Sequence, residues 1–433
     1  MSDLPSETPV TRSRAFWVLV GYAAVLGLVM GAVATAFIWL VEFGVELLWP
    51  DVEVADPGLF SGQWWFIPLI GVFGCAVGLT RRLLRVEPEI PGLFEEIQEG
   101  RVEPKAVPRR VAVAFVSLIS GASVGPEAPL AAMGGGLGTW IGDRRGLEPE
   151  FTRSAALSGM AGAFGGFFAA PVLAAILVVE AATPAGPRRY VITAVPALVS
   201  ASIGLVVYSF VAGGSLLGIY EVPPYDATIR AFVVAVPLGV FGAFVAALFG
   251  MSMGLTRKAT IPLRGRPILL GLVGGLIVGA IGWAMPLTMF AGTTQLATAL
   301  DRAPAFGAGL IFLLALGKIA ATGISFGTSF YGGPIFPLIF IGGVSGAAVH
   351  ALIPDIPLGL AVVCLFAAVP GAVAQIPFTL VMLAALGLTL PTPMEAAPAA
   401  LATAIAYSIY TGFLDRRPRP VSNAADPPTA AAN

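Results

Sequence analysis

Charge is what this chain has least of: Asp, Glu, Lys and Arg make up 11% of its 433 residues, where a soluble domain carries about 25%. Acidic and basic residues nearly balance, for a formal net charge of −1, so no basic surface points to nucleic acid. Histidine occurs once, as His350, and cysteine twice, as Cys75 and Cys364. A single histidine cannot build a multi-histidine metal centre, and two cysteines set in apolar runs make no disulfide framework. No nucleophile–base pair can be assembled from them either, so an enzyme is not expected and no cofactor or metal is called for.

Apolar residues are abundant, at 57% of the chain, and mean hydropathy is +0.88. That composition describes a multi-pass membrane protein surrounded by lipid. Stretches of spanning or near-spanning length lie at 15–49, 64–80, 152–182, 190–212, 229–255, 268–290, 304–321, 335–353, 357–390 and 396–414. Fifty-three glycines and thirty-six prolines interrupt the sequence. A bilayer tolerates broken helices only where the loosened backbone is buried in protein or lines a cavity, as in transporters and channels.

The first apolar segment, from Phe16, is too long for a cleaved signal peptide and is expected to be retained. Arg12 and Arg14 place the N-terminus in the cytoplasm by the positive-inside rule. The expected organisation is a polar tail at 1–14, a first membrane half at 15–212, a loop at 213–228 and a second half at 229–414. A tail at 415–433, with Arg416, Arg417 and Arg419, is expected to be disordered.

Between apolar segments stands Gly125-Pro126-Glu127-Ala128-Pro129-Leu130. An ionisable group at bilayer depth is costly, and its default reading is functional. Proline favours the start of a helix, so the run predicts a helix N-terminus beside Glu127. Such an end carries unpaired N–H groups and partial positive charge, which suit an anion. Glu127 is then a tethered carboxylate competing with a free anion for one site; the alternative is a structural carboxylate at a helix start.

The same run recurs. Gly333-Pro334-Ile335-Phe336-Pro337-Leu338 lies 208 residues on, with seven identities over the fourteen positions 125–138. The register extends backward, setting Arg110 on Lys318, and Gly165 through Pro171 resembles Gly371 through Pro377. Two homologous halves are therefore expected to meet at two proline-started helices. The glycine runs are no phosphate loop, since no Lys-Ser/Thr follows. Gly134 and Gly138, like Gly342 and Gly346, are spaced for close helix approach in lipid.

These residues resemble the CLC family of chloride channels and proton/chloride antiporters, over about Gly21 to Tyr410. Gly125-Pro126-Glu127-Ala128-Pro129 is similar to the family's Gly-(Lys/Arg)-Glu-Gly-Pro gate motif at its Gly, Glu and final Pro. Gly317-Lys318 resembles the family's Gly-Lys helix, and Gly333-Pro334-Ile335-Phe336-Pro337 its anion loop. Leu173 to Glu180 resembles the segment that ends in the family's intracellular glutamates. The resemblance implies an all-helical CLC-like inverted repeat of broken and tilted helices, a homodimer, and a bacterial plasma membrane location. It implies transport of chloride or another small monovalent anion, with protons as a possible second cargo.

By that resemblance Glu127 is the gate, and Gly125, Ala128, Gly333, Ile335 and Phe336 line the anion path. Pro88 stands where the family places a serine hydroxyl, Pro334 removes an N–H, and the internal proton glutamate falls on Ala181, beside Glu180. Glu180 is either a substitute for it or a carboxylate neutralised by Arg188 or Arg189. Glu87 and Glu89 add negative charge near the path unless protonated, paired or turned away. Lys318 and Arg110 either raise the potential near the path or snorkel to an interface. Tyr407 and Tyr410 are candidates for the family's anion-binding tyrosine or are packing residues. The departures leave open a different anion, or a CLC-fold scaffold or sensor that does not conduct.

Overall fold

A computed structural model describes residues 10–49, 61–87, 89–211 and 220–415. Pro88, residues 50–60, the first part of the loop expected at 213–228 (through residue 219) and the terminal segments 1–9 and 416–433 lie outside the described residues. Among the described residues the chain forms sixteen α-helices and no strand. The first eight are α1 (Arg14–Leu48), α2 (Phe66–Leu83), α3 (Leu93–Glu99), α4 (Val107–Ile119), α5 (Glu127–Arg145), α6 (Pro149–Phe167), α7 (Pro171–Ala182) and α8 (Gly186–Val211). The rest are α9 (Ile229–Ala259), α10 (Pro267–Ala284), α11 (Thr293–Asp301), α12 (Ala308–Gly327), α13 (Ile335–Leu352), α14 (Leu358–Ala374), α15 (Pro377–Gly387) and α16 (Ala397–Asp415).

Seven of these, α1, α2, α8, α9, α10, α12 and α13, are long and apolar enough to cross a membrane. The 35 residues of α1 run about 52 Å at 1.5 Å per residue. That exceeds a hydrocarbon core of about 30 Å, so α1 must tilt. Burial sorts the spans: the apolar window of α13 is 78% buried within the protein and that of α1 only 39%. Helix α13 therefore occupies the centre and α1 the rim.

The apolar runs 152–182 and 357–390 each prove to be two helices. Helix α6 ends before Pro171 and α14 before Pro377, at breaks where Ala169 and Gln375 adopt left-handed φ values of 52° and 59°. Proline cannot continue the hydrogen-bond ladder, and it drives the residue before it toward extended backbone. Ala170 and Ile376 duly sit at φ −144° and −127°. The two breaks fall at matched positions of the repeat and are built alike.

Helix contacts repeat as well. At Gly134 the carbonyl of Gly159 on α6 lies so close that no Cβ would fit, and Leu365 on α14 crowds Gly342 of α13 in the same way. Small residues allow this backbone approach in lipid, where hydrophobic burial gives little driving force. The pairs α5–α6 and α13–α14 thus carry the loops before α5 and α13 to a common centre.

Candidate functional site

The two proline-started loops touch. Gly125 donates its N–H to the Gly333 carbonyl at 2.8 Å, and Gly333 donates back to Gly125 at 2.6 Å, forming one antiparallel bridge. Each glycine N–H is therefore taken by the other, and neither is left for an anion. What the pair supplies is space, since a Cβ at either position would collide with the Glu127 carboxylate.

Glu127 is fully buried at the first position of α5. Its carboxylate does not fold back on its own helix alone but reaches the start of α13. Phe336 donates its N–H to Oε1 at 2.8 Å, and the Ile335 N–H also faces the group. Oε2 has no hydrogen-bond partner among the described residues. A carboxylate from the first half thus occupies the open N-terminus of a helix of the second half, where unpaired N–H groups and the helix dipole favour negative charge. Pro334 contributes no N–H, so the donors begin one residue later. Phe336 packs edge-on against Phe167 and stacks on Phe168, with ring centres 5.5 and 6.0 Å away. Ala128 is fully buried in the first turn of α5, where helix N–H groups lack intrahelical partners.

Arg110 and Lys318 occupy equivalent repeat positions, and neither snorkels. Arg110, 7% exposed, pairs with buried Glu96 of α3 at 2.8 Å and approaches Glu87 at 3.7 Å. Lys318 is fully buried and donates to the carbonyls of Thr288, Met289 and Phe290 at 3.1, 3.1 and 2.7 Å. Its Nζ also lies 5.0 Å from the Phe340 ring centre. Arg110 is thus compensated by carboxylates, whereas the three carbonyls that accept from Lys318 are neutral and offset none of its formal charge.

Glu180 is not held by Arg188, which pairs with Glu150 at 2.6 Å. Its carboxylate accepts from the N–H groups of Phe378 and Thr379, each at 2.8 Å, and from the Thr379 hydroxyl at 2.6 Å. These donors start α15, so Glu180 repeats the logic of Glu127: an acid of the first half closing a helix N-terminus of the second. Glu180→Ala is expected to lower stability by about 1 kcal/mol through loss of this capping. A melting midpoint in detergent equal to that of the unaltered protein contradicts it.

Below the bridge lies a cavity of about 720 Å³ bordered by Arg81, Arg85, Arg257, Ser329, Tyr331 and Gly332. Glu87 and Glu89 also border it; Glu89 pairs with Arg264 at 3.0 Å and Glu87 leans toward Arg110, so both acids are compensated. Arg81 donates to the Ser329 carbonyl at 3.2 Å. Tyr407 and Tyr410 stand on α16 away from this lining, and Tyr410 packs against Gly250 of α9. Tyr331, Glu96 and Arg81 escaped the sequence reading, although Tyr331 immediately precedes Gly332-Gly333 in the repeated loop.

Comparison with known proteins places this geometry. The family profile described as voltage gated chloride channel matches residues 72–411. The "Putative ion-transport protein YfeO" of Salmonella paratyphi A is 25% identical over 371 residues, covering 82% of this chain and 85% of that one. Among solved structures, a slow cyanobacterial Cl⁻/H⁺ antiporter superposes with a TM-score of 0.73 at 18% identity, over 91% of this chain and 94% of that one. A CLC-type fluoride/proton antiporter gives 0.74 at 18% identity, over 92% and 96%. With a profile spanning most of the sequence and a fold shared from end to end, the chain belongs to the voltage gated chloride channel family.

Proposed function

We propose that the protein, a CLC-type anion transporter, moves a small monovalent anion, chloride first among them, past a site that Glu127 closes. The observation that carries this reading is the Phe336 N–H donated to a fully buried Glu127 carboxylate. A helix N-terminus binds an anion through amide dipoles rather than a full opposite charge. Binding of that strength lets the ion leave again, which conduction requires. The carboxylate and a free anion need the same N–H groups of Ile335 and Phe336, so protonation of Glu127 releases them to the anion. Protons are then a second cargo, carried on Glu127 itself. The role read from this site is transport rather than catalysis. The family resemblance extends the reading to a homodimer in a bacterial plasma membrane with a cytoplasmic N-terminus.

A second anion is favoured by one feature: Pro334 shortens the row of amide donors at the start of α13, and a smaller or differently shaped ion suits fewer donors. Purified protein in lipid vesicles, loaded in turn with chloride, fluoride, nitrate and bicarbonate, separates these cases. Chloride is expected to exit at least about tenfold faster than from protein-free vesicles, a barrier difference of about 1.4 kcal/mol. Efflux of no anion above that background rejects transport and leaves a non-conducting scaffold.

A further inference from the structure

Three arginines on the border of the 720 Å³ cavity have no acid of their own. Arg82 and Arg85 come from the end of α2, and Arg257 from the last turn of α9 in the other half of the repeat. Among the described residues no salt bridge involves any of them. Arg264, on the same border, pairs with Glu89, and away from it Arg101 and Arg188 pair with Asp143 and Glu150. With Arg81, five arginines border the cavity against three glutamates, Glu87, Glu89 and Glu95, an excess of two positive charges. A cation at a helix C-terminus complements the helix dipole, which accounts for the arginines one at a time. It does not account for arginines from both halves of the repeat converging on one cavity.

We propose that this cavity binds the phosphate group of a multivalent anion, and that its occupant obstructs the anion path. A guanidinium presents its N–H donors as a fork that matches the oxygens of a phosphate, where a spherical halide can use only one direction at a time. The volume falls within the roughly 300–1,000 Å³ of sites for organic ligands, far above the about 30 Å³ that one water fills. Selectivity for a multivalent ion follows from the charge excess: each added negative charge on the ligand meets a further arginine. Arg81 ties this border to the loop before α13 by donating to the Ser329 carbonyl at 3.2 Å. Three residues on, Gly332 borders the cavity and packs against the Gly125 carbonyl. An occupant therefore stands across the approach to Glu127 from this side. The obstruction, unlike the binding, rests on the anion-transport reading. With the N-terminus in the cytoplasm, α1 crosses outward and α2 returns, so the cavity opens where phosphorylated solutes and acidic lipid headgroups both offer the group.

Pyrophosphate is the probe, in two measurements on the full-length protein. Titration calorimetry in detergent, at fixed ionic strength, reads binding without any need for transport. The double substitution Arg85→Gln with Arg257→Gln removes exposed side chains that hold no ion pair, and it should weaken binding at least about tenfold, the cost of losing one charge-assisted hydrogen bond. Glu89→Gln releases Arg264 and should tighten binding about two- to fivefold, which a damaged fold cannot do. No binding by the unaltered protein overturns the site, as does an affinity that both variants leave unchanged. The second measurement is chloride efflux from vesicles with pyrophosphate on both faces, each protein compared with its own rate in pyrophosphate-free buffer. In zwitterionic lipid, pyrophosphate should slow the unaltered protein at least about tenfold and the double variant much less. Equal slowing in vesicles containing phosphatidylglycerol assigns the site to a soluble phosphate. Efflux already slow there, and indifferent to pyrophosphate, assigns it to the headgroup. Binding in detergent without slowing in either lipid overturns the obstruction. If no vesicle releases chloride, the transport reading fails and the obstruction with it, while the titration still decides the site.

Discussion

Glu127→Ala is expected to raise anion efflux from vesicles and to abolish its dependence on pH. The carboxylate holds the start of α13 through the Phe336 N–H at 2.8 Å. A hydrogen bond to a charged group contributes about 1.5–3 kcal/mol, which corresponds to roughly a ten- to hundredfold change in how often the site stands open. In the unaltered protein the sign is set by which form competes: the charged carboxylate holds the amides, and protonation weakens its hold. Efflux should therefore rise as pH falls. With alanine no acid remains at this site, so efflux should be high and flat across pH. Glu127→Gln keeps the length of the side chain without the charge and should lie between the two in rate, also without pH response. A purely structural carboxylate makes the opposite forecast: a lower melting midpoint, with efflux per folded molecule and its pH profile unchanged.

Lys318→Met should cost the most stability of any substitution considered, at least about 3 kcal/mol, because three buried carbonyl acceptors each lose a partner at about 1–3 kcal/mol. Three carbonyl oxygens converge on Nζ, matching the three N–H donors of an ammonium group. Methionine fills the volume but leaves all three acceptors empty in a dry interior. The damage should not stay local. Phe290, one of those acceptors, donates its own N–H to the Gly121 carbonyl at 3.2 Å, in the loop that leads to Glu127. Gly121 has φ 86° and its α-carbon faces Met289 and Trp49, so this loop depends on its neighbours for its shape. The measurable result is a lower unfolding midpoint in detergent together with a weakened pH response of efflux in the fraction that folds. An unfolding free energy within about 1 kcal/mol of the unaltered protein's contradicts the argument.

The parts of this fold legible in the sequence were those that leave a local mark. Proline before a helix and glycine at a close approach are such marks, which is why the starts of α5 and α13 and the repeat relating them could be read directly. Glu127 stood out because a lone acid among apolar residues is expensive in lipid. The segments 152–182 and 357–390 read as continuous because their composition stays apolar through each break. Pro171 and Pro377 mark the places, but a proline within an apolar run also fits a kinked continuous helix; the left-handed Ala169 and Gln375 complete the interruption, and neither residue type announces a positive φ.

Partnerships between separate elements left no such mark. Glu180 meets α15 across 198 residues, and Arg110 on α4 meets Glu96 on α3 across an intervening loop, where no single helical or strand period relates the two residues. Lys318 was harder still, since backbone carbonyls accept hydrogen bonds whatever the side chain, so nothing in the residue names 288–290 marks them as its ligands. From charge alone, Arg110 and Lys318 either raised the potential near the ion path or snorkelled to an interface. Their burial and partners show two equivalent repeat positions adapted to different local tasks.

The bridge between Gly125 and Gly333 has a further consequence. Two residues that exchange both their N–H and their C=O groups make an arrangement that looks the same when turned half a revolution, so the pseudo-symmetry of the inverted repeat passes through that contact. Taken alone, that contact has no preferred face of the membrane. What distinguishes up from down at the centre is the side chain two residues beyond each glycine, an acid at Glu127 and a hydrocarbon at Ile335. At this contact, polarity is a property of composition at one pair of equivalent positions, and the arginine-bordered cavity adds to it only farther out.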